Sequence, residues 1–386
     1  MTSGEFRTCI APRPGTFLLT SALDPVEEVL VVRSPITESF VRDAEPIVRQ
    51  AGARLVTVEA PDLVQADRWI QDTVELGVVV GDGEEPCVAP AALLGLRAKH
   101  QGLNAVPLDR HMARYLHDRG IRCFDVGEPR PADDWIDWYG NLEVSPPVTT
   151  QEGRRMPFGR ALTGRQGERT IHPGVMDFLE RQGVQVPPVV IDTSWLRIGH
   201  VDEVVGFVPA DTRVGFAALV PSPALARKVL GEVNDAGHGD ALVFEGTQEQ
   251  CTVADLLHGS AADEENYAID RHLAGTEKAL CEGLGIGMDS IVRLPALFHE
   301  GAALIPNPIN SLVCNGHLLI PNPKGPKPDR KDAFATAIDR ALSPFPVTPH
   351  FVDGWEAFHV ACGEIHCGTN AIRRPAYDVT AGIAAP

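Results

Sequence analysis

The chain has 386 residues, with 34 Lys and Arg against 52 Asp and Glu and a formal charge of -18 at pH 7. That length exceeds what one simple hydrophobic core usually serves, so two domains or one large barrel or propeller is expected. No Lys/Arg cluster suits a nucleic-acid backbone and no run approaches the ~18 apolar residues of a membrane span, while the surplus carboxylates favour solubility and suit a cationic substrate.

The start of the chain, Met1 to Arg7, lacks the apolar core of a secretory signal. Eight cysteines, at positions 9, 87, 123, 251, 281, 314, 362 and 367, show no C-x-x-C pairing. Thin, unpaired spacing suits reduced thiols, so a cytoplasmic protein is expected.

In chain order, Pro25 to Val32 reads as a buried strand, Thr37 to Gly52 as an amphipathic helix and Leu55 to Val58 as a second strand. The same strand, helix, strand pattern is read at Gly206 to Pro209, Pro223 to Ala236 and Ala241 to Phe244. Further helices are expected around Asn266 to Leu284 and Arg330 to Leu342. Recurring units of this kind predict an α/β fold. No low-complexity linker divides the chain, so residues 1–386 are taken as a single unit.

Three segments carry chemistry. Asp67 to Glu75 packs three carboxylates, an amide and an indole into nine residues. If extended, it would turn Gln71 and Glu75 to one face and Asp72 to the other, separating a metal face from a substrate face; a solvated strand end is the plainer reading. In Ile198 to Glu203, His200 and Asp202 stand two apart and would share one side of a strand. Such a pair serves as a general acid/base beside an anion, as a metal site, or as a satisfied hydrogen-bonded pair. In Glu364 to Asn370, Cys367 lies between an imidazole and a Gly-Thr-Asn turn that would leave its sulfur open to a ligand; the alternative is a buried packing thiol.

Asp72, His200, Asp202 and Cys367 together suit a guanidinium. Two carboxylates hold its fork of N–H donors, a thiolate attacks its central carbon, and a histidine supplies the proton for the departing nitrogen.

The runs DRWIQD (67–72), GNLEVSPPV (140–148), GHVDE (199–203), GHGDALVFEG (237–246) and GEIHCGTN (363–370) resemble, in order, the catalytic domain of the protein-arginine deiminase family. The resemblance covers roughly residues 20–380. It implies a five-bladed α/β propeller, the pentein fold, consisting of the catalytic domain alone without amino-terminal immunoglobulin-like domains. It also implies conversion of peptidyl-arginine to peptidyl-citrulline with release of ammonia through a covalent thiouronium. By matching position, Cys367 is the nucleophile, His200 the general acid/base, Asp72 and Asp202 the guanidinium clamps, and Trp69 the wall against the aliphatic arm. Asn310 also matches a family position near the active site.

One family Ca2+ site corresponds to Gln71, Glu75 and Glu143 with the main-chain carbonyls of Tyr139 and Leu142, and hard oxygens are what calcium prefers. A second site is expected to be lost, because Thr73 replaces a glutamate and Leu96 to His100 lacks the further ligands. The family's two backbone-binding arginines fall in a stretch that reads Lys99 to Leu103 here, and another arginine aligns with Ala361. Backbone recognition is therefore expected to differ, with a small ribosomal peptide as one candidate substrate. The rival within enzymes is a deiminase of free arginine or another small guanidine. Outside enzymes, a binding protein would use His359, Cys362, His366 and Cys367 as a zinc knot, although adjacent last ligands strain a tetrahedral site.

Overall fold

Five times among the described residues, a strand leads into helix and returns as a strand parallel to the first. The structure, a computed structural model, describes residues 15–59, 67–81, 88–95, 108–127 and 135–376. Strand Val26–Arg33 passes through helix Glu38–Gln50 to Arg54–Glu59, and Val88–Leu94 pairs in parallel with Arg122–Asp125 after helix Leu108–Asp118. Ala161–Gln166 reaches Val189–Asp192 through Pro173–Gln182, and His317–Pro321 reaches Thr348–Val352 through Ala333–Leu342. The remaining unit, Phe216–Ser222 to Ile291–Pro295, contains the helices Pro223–Val233 and Ser260–Leu284.

Each first strand also pairs antiparallel with another strand, Ala161–Gln166 with a second as well, Arg169–Thr170. These partners are, respectively, Thr369–Arg373, Val74–Val80, Leu142–Val144, Leu312–Cys314 and Gly206–Pro209. Five sheets of three or four strands result, with three two-stranded pairs beside them among the described residues.

Local sequence accounts for these elements. Phe216–Ser222 is buried at all seven positions, as a strand covered on both faces must be, so its run is apolar where an alternating one would leave a face wet. Helix Glu38–Gln50 buries Phe40, Val41, Ala44 and Val48 along one stripe and stops before Gly52, whose φ of +78° is easy for glycine. Asp332 caps helix Ala333–Leu342 by accepting the N–H of Ala335 at 2.9 Å.

One expected unit is corrected. The strand before helix Pro223–Val233 that bears its parallel partner is Phe216–Ser222, and Ala241 to Phe244 provides only Leu242–Val243, paired with Cys251–Thr252. An apolar run of four was too short to distinguish a sheet strand from a local hairpin. The other expected elements agree within a few residues, with helix Asn266 to Leu284 extended to Ser260–Leu284.

Candidate active site

The five antiparallel partner strands share a second property: the chain just before each of them carries residues of one polar cluster. Turn Ile365–Gly368 precedes Thr369–Arg373 and holds His366 and Cys367; turn Ile70–Thr73 precedes Val74–Val80 and holds Gln71 and Asp72. Turn Tyr139–Asn141 brings Gly140, turn Val201–Glu203 follows His200 and holds Asp202, and Asn310 stands two residues before Leu312–Cys314. Residues almost 300 positions apart are thus delivered by equivalent places in repeated units.

Asp72, His200, Asp202 and Cys367 meet. His200 Nδ1 lies 3.3 Å from Asp72 Oδ1, Cys367 Sγ donates to Asp202 Oδ2 at 3.4 Å, and all four residues are at most 5% exposed. A Cβ built on Gly140 would fall 2.5 Å from His200 Nδ1, 2.7 Å from Asp72 Oδ1 and 3.2 Å from Asp202 Oδ2. Glycine at this position therefore keeps open the space where the three side chains converge. Asp202 Oδ1 is buried without a hydrogen-bond partner, and Asp72 Oδ1 has only the His200 ring beside it at 3.3 Å. Leaving carboxylate oxygens so is costly unless a cation completes them.

The ionisation of the cluster follows from its contacts. His200 Nε2 must donate to the carbonyl of Trp135 at 2.7 Å, so a neutral ring would turn its Nδ1 lone pair toward Asp72. Burial by itself would push the imidazole down; the Asp72 carboxylate and its hydrogen bond, with the charges of Asp202 and Glu203, outweigh burial and raise it to about 9. Burial, then the charges of Asp202 and Asp72, push the Cys367 thiol well above its ordinary value. At neutral pH these shifts favour an imidazolium at His200 and a protonated thiol at Cys367.

Three expectations about local geometry are corrected. Asp67 to Glu75 is not extended throughout: Ile70–Thr73 is one helical turn, and Gln71 meets Glu75 through i, i+4 spacing, with Gln71 Nε2 donating to Glu75 Oε2 at 2.6 Å. The separation of Gln71 and Glu75 from Asp72 survives, with a different cause. His200 stands just before a 3₁₀ turn, Val201–Glu203, that holds Asp202, where a strand was expected. Their carboxylate and imidazole partners differ accordingly. Cys367 lies in a helical turn and is 5% exposed, so its sulfur is enclosed where an open one was expected.

Asn310 had no role assigned from sequence, yet its side chain spans the nucleophile. Its Nδ2 donates to Cys367 Sγ at 3.1 Å and to the Asp202 carbonyl at 3.3 Å, while its Oδ1 accepts the Cys367 N–H at 3.1 Å. His366 is the second residue whose part was missed: Nδ1 donates to Asp202 Oδ2 at 3.0 Å and Nε2 lies 3.4 Å from Glu143 Oε1. Their sequence signals were adjacency to Cys367 and an Asn in a Pro-rich turn, neither of which specifies a contact. Behind them, Asn307 joins two turns by donating to the Glu203 carbonyl at 2.7 Å and, from its N–H, to Glu364 Oε1 at 3.1 Å.

Trp69 is half-buried, its ring centroid 6.0 Å from that of Phe358, with the Arg68 guanidinium 5.0 Å above it. A Cβ on Gly363 would meet the indole at 2.5 Å, so glycine lets the ring lie against the backbone there.

Of the expected calcium ligands, Gln71 Nε2 is 3.4 Å from the Tyr139 carbonyl, and Glu143 is close enough to Glu75 to raise that carboxyl's affinity for protons. Burial first, then Glu143, pushes Glu75 well up; burial, opposed by His366, leaves Glu143 at about 7. Leu142 begins the strand that carries Glu143, and Glu143 Oε1 is buried without a hydrogen bond. Among the described residues no three His, Cys, Asp or Glu side chains are grouped to hold a metal. Two carboxylates, the Tyr139 carbonyl and the Gln71 amide lie together, with the amide nitrogen donating to Glu75; for Gln71 to serve a hard cation it would have to turn its oxygen inward. The zinc-knot grouping does not form: His359 pairs with Glu364 at 2.7 Å and His366 with Asp202. Thr73 is buried and donates to the Trp69 carbonyl at 2.7 Å, and Ala361 is exposed in the turn His359–Ala361. Residues 96–103, where the lost second site and the backbone-binding segment were expected, lie outside the described residues.

The fold itself is shared with solved structures. Residues align over most of the chain with solved pentein-fold deiminases of mixed α/β content: a putative peptidyl-arginine deiminase (TM-score 0.54, 14% identity, 93% of this chain and 99% of that one) and an agmatine deiminase of Enterococcus faecalis (TM-score 0.52, 13% identity, 94% and 100%). The family model for protein-arginine deiminase matches residues 7–378, and the chain belongs to that family. It is 31% identical over 383 residues to human protein-arginine deiminase type-4 and 32% identical over 391 residues to human type-3, covering 96% of this chain and 56% of each relative. The chain thus spans about half the length of these curated relatives. No helix among the described residues is long and apolar enough to cross a membrane.

Proposed function

We propose that this chain hydrolyses the guanidinium of a peptidyl-arginine to citrulline and ammonia. The observation that carries this reading is the meeting of Cys367, His200, Asp72 and Asp202 around Gly140, with Asp202 Oδ1 unpaired and Asp72 Oδ1 met by the His200 ring at 3.3 Å. Two facing carboxylates are what a forked, planar cation bridges. In this reading Trp69 lies along the aliphatic arm of the arginine and Asn310 steadies the sulfur.

The chemistry begins with the bound cation. Its charge offsets Asp72 and Asp202, the two aspartates whose charges hold the thiol protonated, so the thiol proton leaves to solvent and the thiolate adds to the guanidinium carbon. His200, protonated at rest, gives its proton to the departing nitrogen as ammonia leaves, and a thiouronium remains on Cys367. His200, now neutral, takes a proton from water; the hydroxyl adds to the same carbon, the C–S bond breaks, and citrulline leaves. The net reaction consumes one water and releases one ammonia.

A calcium ion would be held by Gln71, Glu75 and Glu143 with the carbonyls of Tyr139 and Leu142. It would supply charge neutralisation for the two buried carboxylates and fix the turn that carries Asp72 next to Gln71. We read the five strand-helix-strand units, each delivering its turn to one cluster, as the blades of a five-bladed propeller forming one catalytic domain over residues 1–386. The described cysteines are free, in keeping with a cytoplasmic, reducing setting.

The deciding experiment measures citrulline and ammonia from an N-blocked arginine amide and from free arginine, each with calcium and with a chelator. Peptide-like selectivity, loss of turnover with the chelator, and abolition in Cys367→Ala are expected. Turnover that survives the chelator would remove calcium from the reading and leave the deimination. Preference for free arginine would select the rival substrate class, which the agmatine deiminases among the structural neighbours keep in view. A small ribosomal peptide remains the proposed natural form if the blocked arginine wins.

A further inference from the structure

We propose that Glu364 is a positioning residue for the nucleophile: its buried carboxylate ties the segment before Cys367 to Asn307, and so holds the Glu364 main-chain N–H on the Cys367 sulfur as a second donor beside the Asn310 amide. This inference rests on the reading of Cys367 as the nucleophile. Three observations carry it.

First, the carboxylate joins two segments that are distant in sequence. Glu364 is 3% exposed, and its Oε1 accepts from both His359 Nδ1 at 2.7 Å and the Asn307 N–H at 3.1 Å. Its Oε2 is buried and accepts no hydrogen bond among the described residues. A half-satisfied buried carboxylate costs stability, so its use lies in what its bonds hold in place. Second, they hold a backbone that would otherwise relax. Cys362, between His359 and Glu364, has a φ of +63°, a left-handed conformation that a non-glycine residue keeps when its surroundings enforce it. The His359 ring is itself packed on Trp355, with centroids 4.4 Å apart, so the clasp is fixed at its outer end too. Third, the main chain of Glu364 meets the reacting atom. Its carbonyl accepts the Gly368 N–H at 3.1 Å and closes the turn Ile365–Gly368. Its N–H bonds to the Cys367 sulfur, against the burial and the Asp202 and Asp72 charges that push the thiol up.

Both donors to the sulfur therefore hang from one frame. Asn307, held by Glu364, donates to the Glu203 carbonyl at 2.7 Å and accepts the N–H of Ile309 at 3.1 Å, one residue before Asn310. Without the carboxylate, the segment from 359 to 364 relaxes at Cys362 and carries the Glu364 N–H off the sulfur. The thiolate then forms less readily, while the clamps Asp72 and Asp202 are untouched.

The test uses the full chain in saturating calcium. Alkylation of Cys367 by iodoacetamide is followed against pH by peptide mass spectrometry, and kcat and KM are measured on an N-blocked arginine amide. Glu364→Ala deletes the clasp and is expected to move the alkylation profile up by about one pH unit, the scale of one hydrogen bond to a charged group. Its kcat should fall about 10²-fold, as when one donor to a developing anion is lost, with KM nearly unchanged. Glu364→Gln keeps an oxygen for His359 and Asn307 and should bring both readouts back to near the parental values. His359→Ala removes one anchor at the half-buried end; it should move both readouts the same way by less, and it carries the test if Glu364→Ala does not fold. A folded Glu364→Ala with a lower thermal midpoint but parental kcat and alkylation profile overturns the proposal, as does a Gln variant that loses as much as the Ala variant. A parent that turns over neither the blocked amide nor free arginine sinks the deimination reading, and the alkylation profiles still decide whether Glu364 positions the thiol.

Discussion

The thiol of Cys367 has Asp202 as acceptor at 3.4 Å and Asn310 Nδ2 as donor at 3.1 Å, inside a site whose carboxylates oppose a second negative charge. One neutral N–H aimed at the sulfur is therefore worth more here than in water, because it is preorganised and dry. Asn310→Asp isolates that contribution. The variant keeps an oxygen to accept the Cys367 N–H, which Asn310 Oδ1 does at 3.1 Å, but replaces the donor with an acceptor that is itself an acid. Loss of about 10²-fold or more in kcat/KM is expected, the scale seen when one donor to a developing anion is removed. Alkylation by iodoacetamide should also shift to higher pH. Activity within twofold of the parent, with an unmoved alkylation profile, would show that Asn310 serves only the backbone.

At the scale of the element, the site depends on turns more than on strands. Gly140 illustrates this: its turn packs so closely on the cluster that an added Cβ would lie 2.5 Å from His200 Nδ1, nearer than real contacts allow. Gly140→Ala must push the turn or the imidazole aside, and small displacements of reacting groups cost about 10²-fold. A loss of that order in kcat/KM is expected, with the thermal midpoint changed far less, since the methyl displaces no core side chain. Near-parental kcat/KM would mean the turn yields without disturbing His200.

The same turns explain what sequence could and could not reveal. The recurrence of strand and helix was legible from periodicity, and the chemistry of Asp72, His200, Asp202 and Cys367 from residue type and from the order of their motifs. The conformation of Ile70–Thr73 was not, because four residues carry too little periodicity to tell a helical turn from a strand end. Gly140 lay inside a quoted motif without a role, for the space beside it belongs to His200 and Asp72, remote in sequence. Asn310 and His366 act through side-chain contacts with Asp202, 108 and 164 residues away, which no local pattern encodes. The meeting of equivalent turns from different units made these partners.

Across the whole molecule, gathering so many acids in a buried centre sets how stability varies with pH. Burial, reinforced by Asp202 and Asp72 and opposed by the His200 charge, raises Glu203 from 4.5 to about 8. Between those values the unfolded chain gives up this proton and the folded chain keeps it, so stability is lost as pH rises through the interval. His200 acts in the same direction over a higher window: its proton is retained up to about 9 in the folded chain against 6.5 when unfolded. Stability from its ion pair with Asp72 is full below 6.5 and lost toward 9. The thermal midpoint is therefore expected to fall steadily from pH 5 to pH 9. Glu203→Gln, which keeps an oxygen to accept the His200 N–H that Glu203 Oε1 accepts at 3.0 Å, removes the lower of these two titrations. Calorimetric melts in chelator should show this variant matching the parent near pH 5 and exceeding it by a few degrees at pH 8. Parallel midpoint curves for the two proteins would mean that Glu203 ionises in the folded chain as it does in the unfolded one, and that its proton is no part of what the acidic centre costs.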